Sequence, residues 1–115
     1  MAREVLVWGL PPELETPALQ EAQRLGLSMR LADARRGLLD TAPVPGLVVV
    51  GVAPDAPDTV AMLRARRGWQ AVPVLAVMTA LEAGLVAPLR GAGVVRIMMQ
   101  DEFLMELPSI LRGVG

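Results

Sequence analysis

Apolar residues fall along this chain in short runs, separated by stretches with helical spacing. Val5-Leu6-Val7-Trp8 is rich in β-branched residues and is stopped by Gly9 and the pair Pro11-Pro12, so it reads as a buried strand. Thr16 before Pro17 predicts a helix start, because a hydroxyl caps free amides and proline suits the first helical position. Ala18, Leu19, Ala22 and Leu25 share one helical face, and Gly26 supplies a stop. Residues 28–32 alternate enough for a second strand, more polar and therefore nearer a sheet edge. Asp33 is expected to cap a short helix through Leu39. After the break at Pro43, Pro45 and Gly46, residues 47–52 form the most strand-like segment, placed at the sheet centre. A Pro/Asp loop then leads into a helix carrying Val60 and Leu63, which ends near Gly68, with Trp69 closing it onto the core.

A fourth apolar run covers 72–78, with Pro73 near its start, where a lost amide donor is tolerable. Residues 80–90 predict a weak helix, since Gly84 and Pro88 each lower its stability, an interior proline by about 3 kcal/mol. Residues 94–98 supply a fifth strand. Asp101 is expected to cap a last helix whose Phe103, Leu104, Leu107 and Leu111 form one apolar face, with Pro108 kinking or shortening it. Five strands alternating with five helical stretches need crossover connections, and right-handed crossovers give a parallel sheet covered on both faces. The expected fold is a three-layer α/β/α sandwich forming a single domain over 1–115. Periodicity leaves the flavodoxin-like and Rossmann-like strand orders both open.

Composition narrows the chemistry. The 115 residues carry 11 basic and 12 acidic side chains, which gives neither the basic excess of a nucleic-acid binder nor an acidic tail. Cysteine, histidine, tyrosine and lysine are all absent. That removes thiolate metal sites, the usual general base, the Schiff-base amine and the P-loop lysine. No apolar run approaches the ~20 residues of a membrane-spanning helix. Met1-Ala2-Arg3-Glu4 leads straight into the first strand without the plan of a signal peptide, so the expected location is cytoplasmic. Gly113-Val114-Gly115 reads as the opening of a linker.

Three phrases then point to a family. Pro45-Gly46-Leu47-Val48-Val49-Val50, Val72-Pro73-Val74-Leu75-Ala76-Val77-Met78-Thr79-Ala80 and Gly91-Ala92-Gly93 stand in an order and spacing that resemble the receiver domain of two-component response regulators. The resemblance runs from about Glu4 to Arg112, and it implies a flavodoxin-like, five-stranded parallel sheet of order 2-1-3-4-5. In that family, it further implies, an aspartate ending the third strand accepts a phosphoryl group and an acidic pair after the first strand holds magnesium. A hydroxyl ending the fourth strand and a lysine ending the fifth contact the phosphoryl group. The matching positions here are Gly51, then Gly9 with Leu10, then Thr79, then Met98, so only the hydroxyl remains. Magnesium demands oxygen ligands, and phosphoryl transfer to a carboxylate needs both metal and carboxylate. Trp8, Leu10, Pro54 and Met98 are expected to pack that edge with hydrocarbon.

The expectation is thus a phosphorylation-independent pseudo-receiver with no catalytic residue, no metal and no cofactor. It acts through a protein partner or its own copy, as in a homodimer, and not through nucleic acid or membrane. Met99, Phe103 and Met105 mark the expected interaction face, since methionine surfaces adapt to partners. One alternative is a shifted acceptor using Asp55 or Asp58 with Glu13 or Glu15, against the plainer reading that both aspartates cap the next helix. Another is a small-ligand sensor with an apolar pocket near Trp8 and Trp69. Arg64, Arg66 and Arg67, with Arg35 and Arg36 elsewhere, read as solvated surface, because no phosphate-binding glycine loop accompanies them.

Overall fold

The computed structural model describes residues 4–39 and 41–114. The expected start at Met1-Ala2-Arg3 and the last glycine of the linker reading, Gly115, lie outside the described residues. Strand β1 spans Glu4–Trp8, β2 Ser28–Ala32, β3 Leu47–Gly51, β4 Val74–Met78 and β5 Arg96–Met99. All pair in parallel, in the order β2-β1-β3-β4-β5. The most apolar run, β3, is central, and the more polar β2 lies at an edge, as a strand buried on one face only requires.

Helix α1 spans Pro12–Arg24, α2 Ala56–Arg64, α3 Val86–Ala92 and α4 Gln100–Arg112, with a 3₁₀ turn at Ala83–Leu85. Alternating strand residues divide the core in two. Val5, Val7, Val49 and Val77 point to the face covered by α1 and α4, where they meet Leu14, Ala18, Phe103, Leu107 and Leu111. Leu6, Val48, Val50, Ala76 and Met78 point to the face covered by α2 and α3, where Val60, Leu63, Trp69 and Leu89 close over them. Trp69 is buried against this second cluster, as the sequence predicts.

Several boundaries differ from expectation for identifiable reasons. Helix α1 begins at Pro12, whose missing amide costs nothing at the first position, so Pro17 lies inside the helix and Thr16 is not its cap. Its end is as predicted: the amide of Leu27 donates to Ala22 O and that of Gly26 to Gln23 O, with Gly26 at φ +72°. Residues 33–39 form turns, not a helix. The Asp33 carboxylate does receive the amides of Arg35 and Arg36, at 2.9 and 2.8 Å, but Gly37 turns left-handed at φ +69° and stops propagation. Asp101 does not cap α4, because the helix starts directly from β5 with Met99 as N-cap. Pro108 sits inside α4 without ending it. The carbonyl it leaves without its helical partner is that of Leu104, on the exposed side of the helix. Leu104 is accordingly not part of the buried stripe.

Candidate functional site: the carboxyl edge of the sheet

Parallel strands deliver their carboxyl ends to one rim, and the chain leaves neighbouring β1 and β3 toward opposite faces, through α1 and α2. Such a reversal opens a crevice in doubly wound sheets. At this rim Gly9, at φ +71°, donates its amide to Ala32 O at 2.9 Å, which draws the segment after β1 across the strand ends. Gly51 ends β3 beneath it. A Cβ on Gly51 would lie 2.3 Å from the Gly9 carbonyl oxygen, 2.8 Å from its carbonyl carbon and 3.1 Å from the Leu10 nitrogen. Backbone therefore fills the space that any side chain at position 51 would enter.

The other singled-out positions separate. Leu10 and Met98 are both buried in the core of the face covered by α1 and α4, in the same cluster as Phe103. Thr79 follows β4 and is exposed. Pro54 is exposed and does not join Leu10 and Met98, so the rim is only partly packed with hydrocarbon. Beside the buried part lies a cavity of about 170 Å³. Trp8, Val50, Gly51 and Ala56 give it apolar walls, and Asp33, Asp55 and Thr59 give it polar ones. Trp69 is buried elsewhere, so the cavity belongs to Trp8 alone among the two tryptophans.

Of the carboxylates considered for a shifted acceptor, Asp55 lines this cavity, while Asp58, Glu13 and Glu15 do not. Glu15 pairs with Arg36 at 3.4 Å, and Arg36 also reaches Asp33 at 3.6 Å. Asp55 occupies the N-cap position of α2, yet its side chain makes no capping bond. The amides of Arg36 and then Arg35 hold the Asp33 carboxyl below its ordinary value, against partial desolvation. Asp33 and Thr59 were not singled out as site residues from sequence. The available signal for Asp33 was its place immediately after an edge strand, which in a parallel sheet means the carboxyl rim. Among the described residues, no three acidic or other metal-ligating side chains converge.

The arginines are not a single solvated face. The Arg64 guanidinium donates to the carbonyls of Val72 and Gln70. Arg66 donates to Leu39 O and lies 4.9 Å from the centre of the Trp69 ring. Only Arg67 among the three is simply exposed. At the far edge, Met99 and Met105 are exposed, at 38% and 84%, together with Val95 and Leu104. Phe103 is 1% exposed and belongs to the core, which corrects its expected place on the interaction face.

No protein-family model matches the chain, and no curated protein matches it in sequence. Solved structures match over essentially its full length. The chemotaxis response regulator CheY4 of Vibrio cholerae superposes with a TM-score of 0.80 at 16% identity, covering 100% of both chains. The fold is that of response-regulator receiver domains. A signal receiver domain of a histidine kinase from Clostridium thermocellum gives 0.79 at 10% identity, over 99% of this chain and 98% of that one. The DrrB receiver domain in its BeF3-activated form gives 0.77 at 14% identity, over 99% and 97%. The sheet order 2-1-3-4-5 is the flavodoxin-like one, as the match to this fold requires. No helix among the described residues is long and apolar enough to cross a membrane.

Proposed function

We propose that this chain is a pseudo-receiver: a signalling module that keeps the receiver fold, does not take up a phosphoryl group, and works by docking a protein partner or a second copy. The observation that carries the reading is the approach of Gly9 O to within 2.3 Å of where a Cβ at position 51 would be. The position matching the acceptor aspartate thus lacks both the carboxylate and the room for one. Met98, matching the family's lysine, is buried in hydrocarbon, where a phosphoryl-like charge costs on the order of several kcal/mol without partners. Thr79 remains as a strand-end hydroxyl.

Docking is assigned to the β5 edge and the outer side of α4, where Met99, Met105, Val95 and Leu104 are exposed. Arg96, held by Glu106 at 2.8 Å and Glu102 at 3.2 Å, gives this apolar surface a polar border. A fluoride phosphoryl mimic tests the reading, since one of the matching structures is a BeF3-activated receiver. Amide spectra recorded with and without Mg²⁺ and beryllofluoride should superimpose. Saturable shifts centred on Gly51 or Asp55, lost in Asp55→Asn, would instead establish a shifted acceptor.

A further inference from the structure

The cavity at the β1/β3 reversal lies on the opposite side of the sheet from the buried Leu10 and Met98, and its chemistry differs from a phosphoryl site. Its volume of about 170 Å³ is below the roughly 300–1,000 Å³ of pockets for drug-sized ligands, which limits an occupant to a small molecule or one side-chain head group. No arginine lines it. The charge inside it can be weighed group by group. Arg36 lies 3.6 Å from Asp33 and offsets that carboxylate. The N-terminus of α2 contributes about half a positive charge near Asp55, too little to cancel it. The residual charge is therefore negative and rests on Asp55, an exposed residue whose backbone carbonyl accepts the Thr59 amide at 3.0 Å but whose carboxylate makes no capping bond to α2.

Trp8, half-buried against the α2/α3 core, lines the same cavity. A cavity lined by a tryptophan, a carboxylate and a hydroxyl residue favours a cation with an apolar stem: a ring quadrupole and the Asp55 carboxylate attract the charge, and a Thr59 hydroxyl accepts an N–H. We propose that this cavity binds a small organic cation, an alkylammonium or alkylguanidinium head group, with Asp55 as its counter-ion and Trp8 as its apolar wall. An anion finds no positive side chain in the cavity. A hydrated divalent ion finds two carboxylates, one of them already committed to Arg36 and to two backbone amides.

The test is a titration of the isotope-labelled chain, followed by amide and indole signals, with butylammonium and butylguanidinium chloride as probes. Saturable shifts are expected at Trp8, Gly9, Gly51 and Asp55, and none with butanol or sodium butyrate at equal concentration. Asp55→Asn should weaken binding by about fivefold, the scale of one exposed ion pair, without changing the melting temperature. N-acetylarginine amide forms a second arm. Tighter binding than butylguanidinium assigns the cavity to an arginine side chain of a peptide, and exclusion of the larger probe assigns it to a free amine. Equal responses to butyrate, shifts linear in concentration, or an unchanged affinity in Asp55→Asn would each overturn the proposal. So would MgCl2 saturating the same signals and displacing the organic cations.

Discussion

The two faces of the sheet are covered by different means. On one, two 13-residue helices, α1 and α4, lay down continuous stripes from Leu14, Ala18 and Ala22 and from Phe103, Leu107 and Leu111. On the other, the shorter α2 and α3, of 9 and 7 residues, cover the strands together with Trp69, and turns at 33–39 run where a helix was expected after β2. Leu39, Val44 and Met62 are left exposed there, and the loop is held by polar clips: Arg66 on Leu39 O, and Asp33 on its own turn. Both faces are closed by packing, but on the second the loop after β2 is held by a few directed bonds. A clipped loop opens locally, and the cavity beside Trp8 lies on the same side of the sheet as that loop.

This contrast can be broken most forcefully at Phe103. Phe103→Ala deletes the largest fully buried side chain of the helix-covered face, and urea unfolding should show a loss of about 3–5 kcal/mol, spread over the whole molecule. A smaller loss confined to α4 would mean that this face is not the cooperative one. Gly51→Ala probes the rim between the faces. The added methyl meets Gly9 backbone, and relief requires the β1–α1 segment to move, so a cost of about 1–3 kcal/mol is expected with amide shifts at Gly9 and Leu10. A neutral substitution would mean that the segment is not fixed over β3. Arg66→Gln should cost only about 1 kcal/mol, through the lost carbonyl bond and the lost stacking on Trp69. Hydrogen exchange should accelerate through 33–46 and leave α1 and α4 protected. The smallest effect is with pH. The Asp33 carboxyl is depressed in the folded chain, so its contribution is complete above its ordinary value of 3.8 and is lost as pH falls from there through the folded value. Exchange in the 33–39 turns should rise over that acidic window in wild type and already be raised at neutral pH in Asp33→Asn.

Most of the fold was legible because it rests on run length. β1, β3 and β4 are built on apolar runs of four or five residues bounded by Gly, Pro or polar residues, and the more polar β2 falls on the predicted residues. Helix boundaries were harder, since proline is ambiguous: Pro12 starts α1, while Pro17 and Pro108 are carried inside helices whose packing outweighs the lost bonds. Asp33 was recognised as a cap, but a cap serves a turn as well as a helix, and Gly37 decided for the turn. At the site, the residue types at 9, 10, 51, 79 and 98 were readable by position. The backbone path of Gly9 over Gly51 was not, because it depends on a left-handed glycine and one amide to Ala32. The company Asp33 keeps with Asp55 arises only when β2 and β3 flank β1.

With Gly9 backbone standing where a side chain at position 51 would go, the proposed pseudo-receiver has no phosphoryl acceptor there. Intact-mass spectrometry of the wild-type chain after incubation with acetyl phosphate and Mg²⁺ tests this directly. An unmodified mass is expected. A stoichiometric phosphoryl adduct that fragmentation places on Asp55, Asp58 or any other carboxylate at the rim would contradict it.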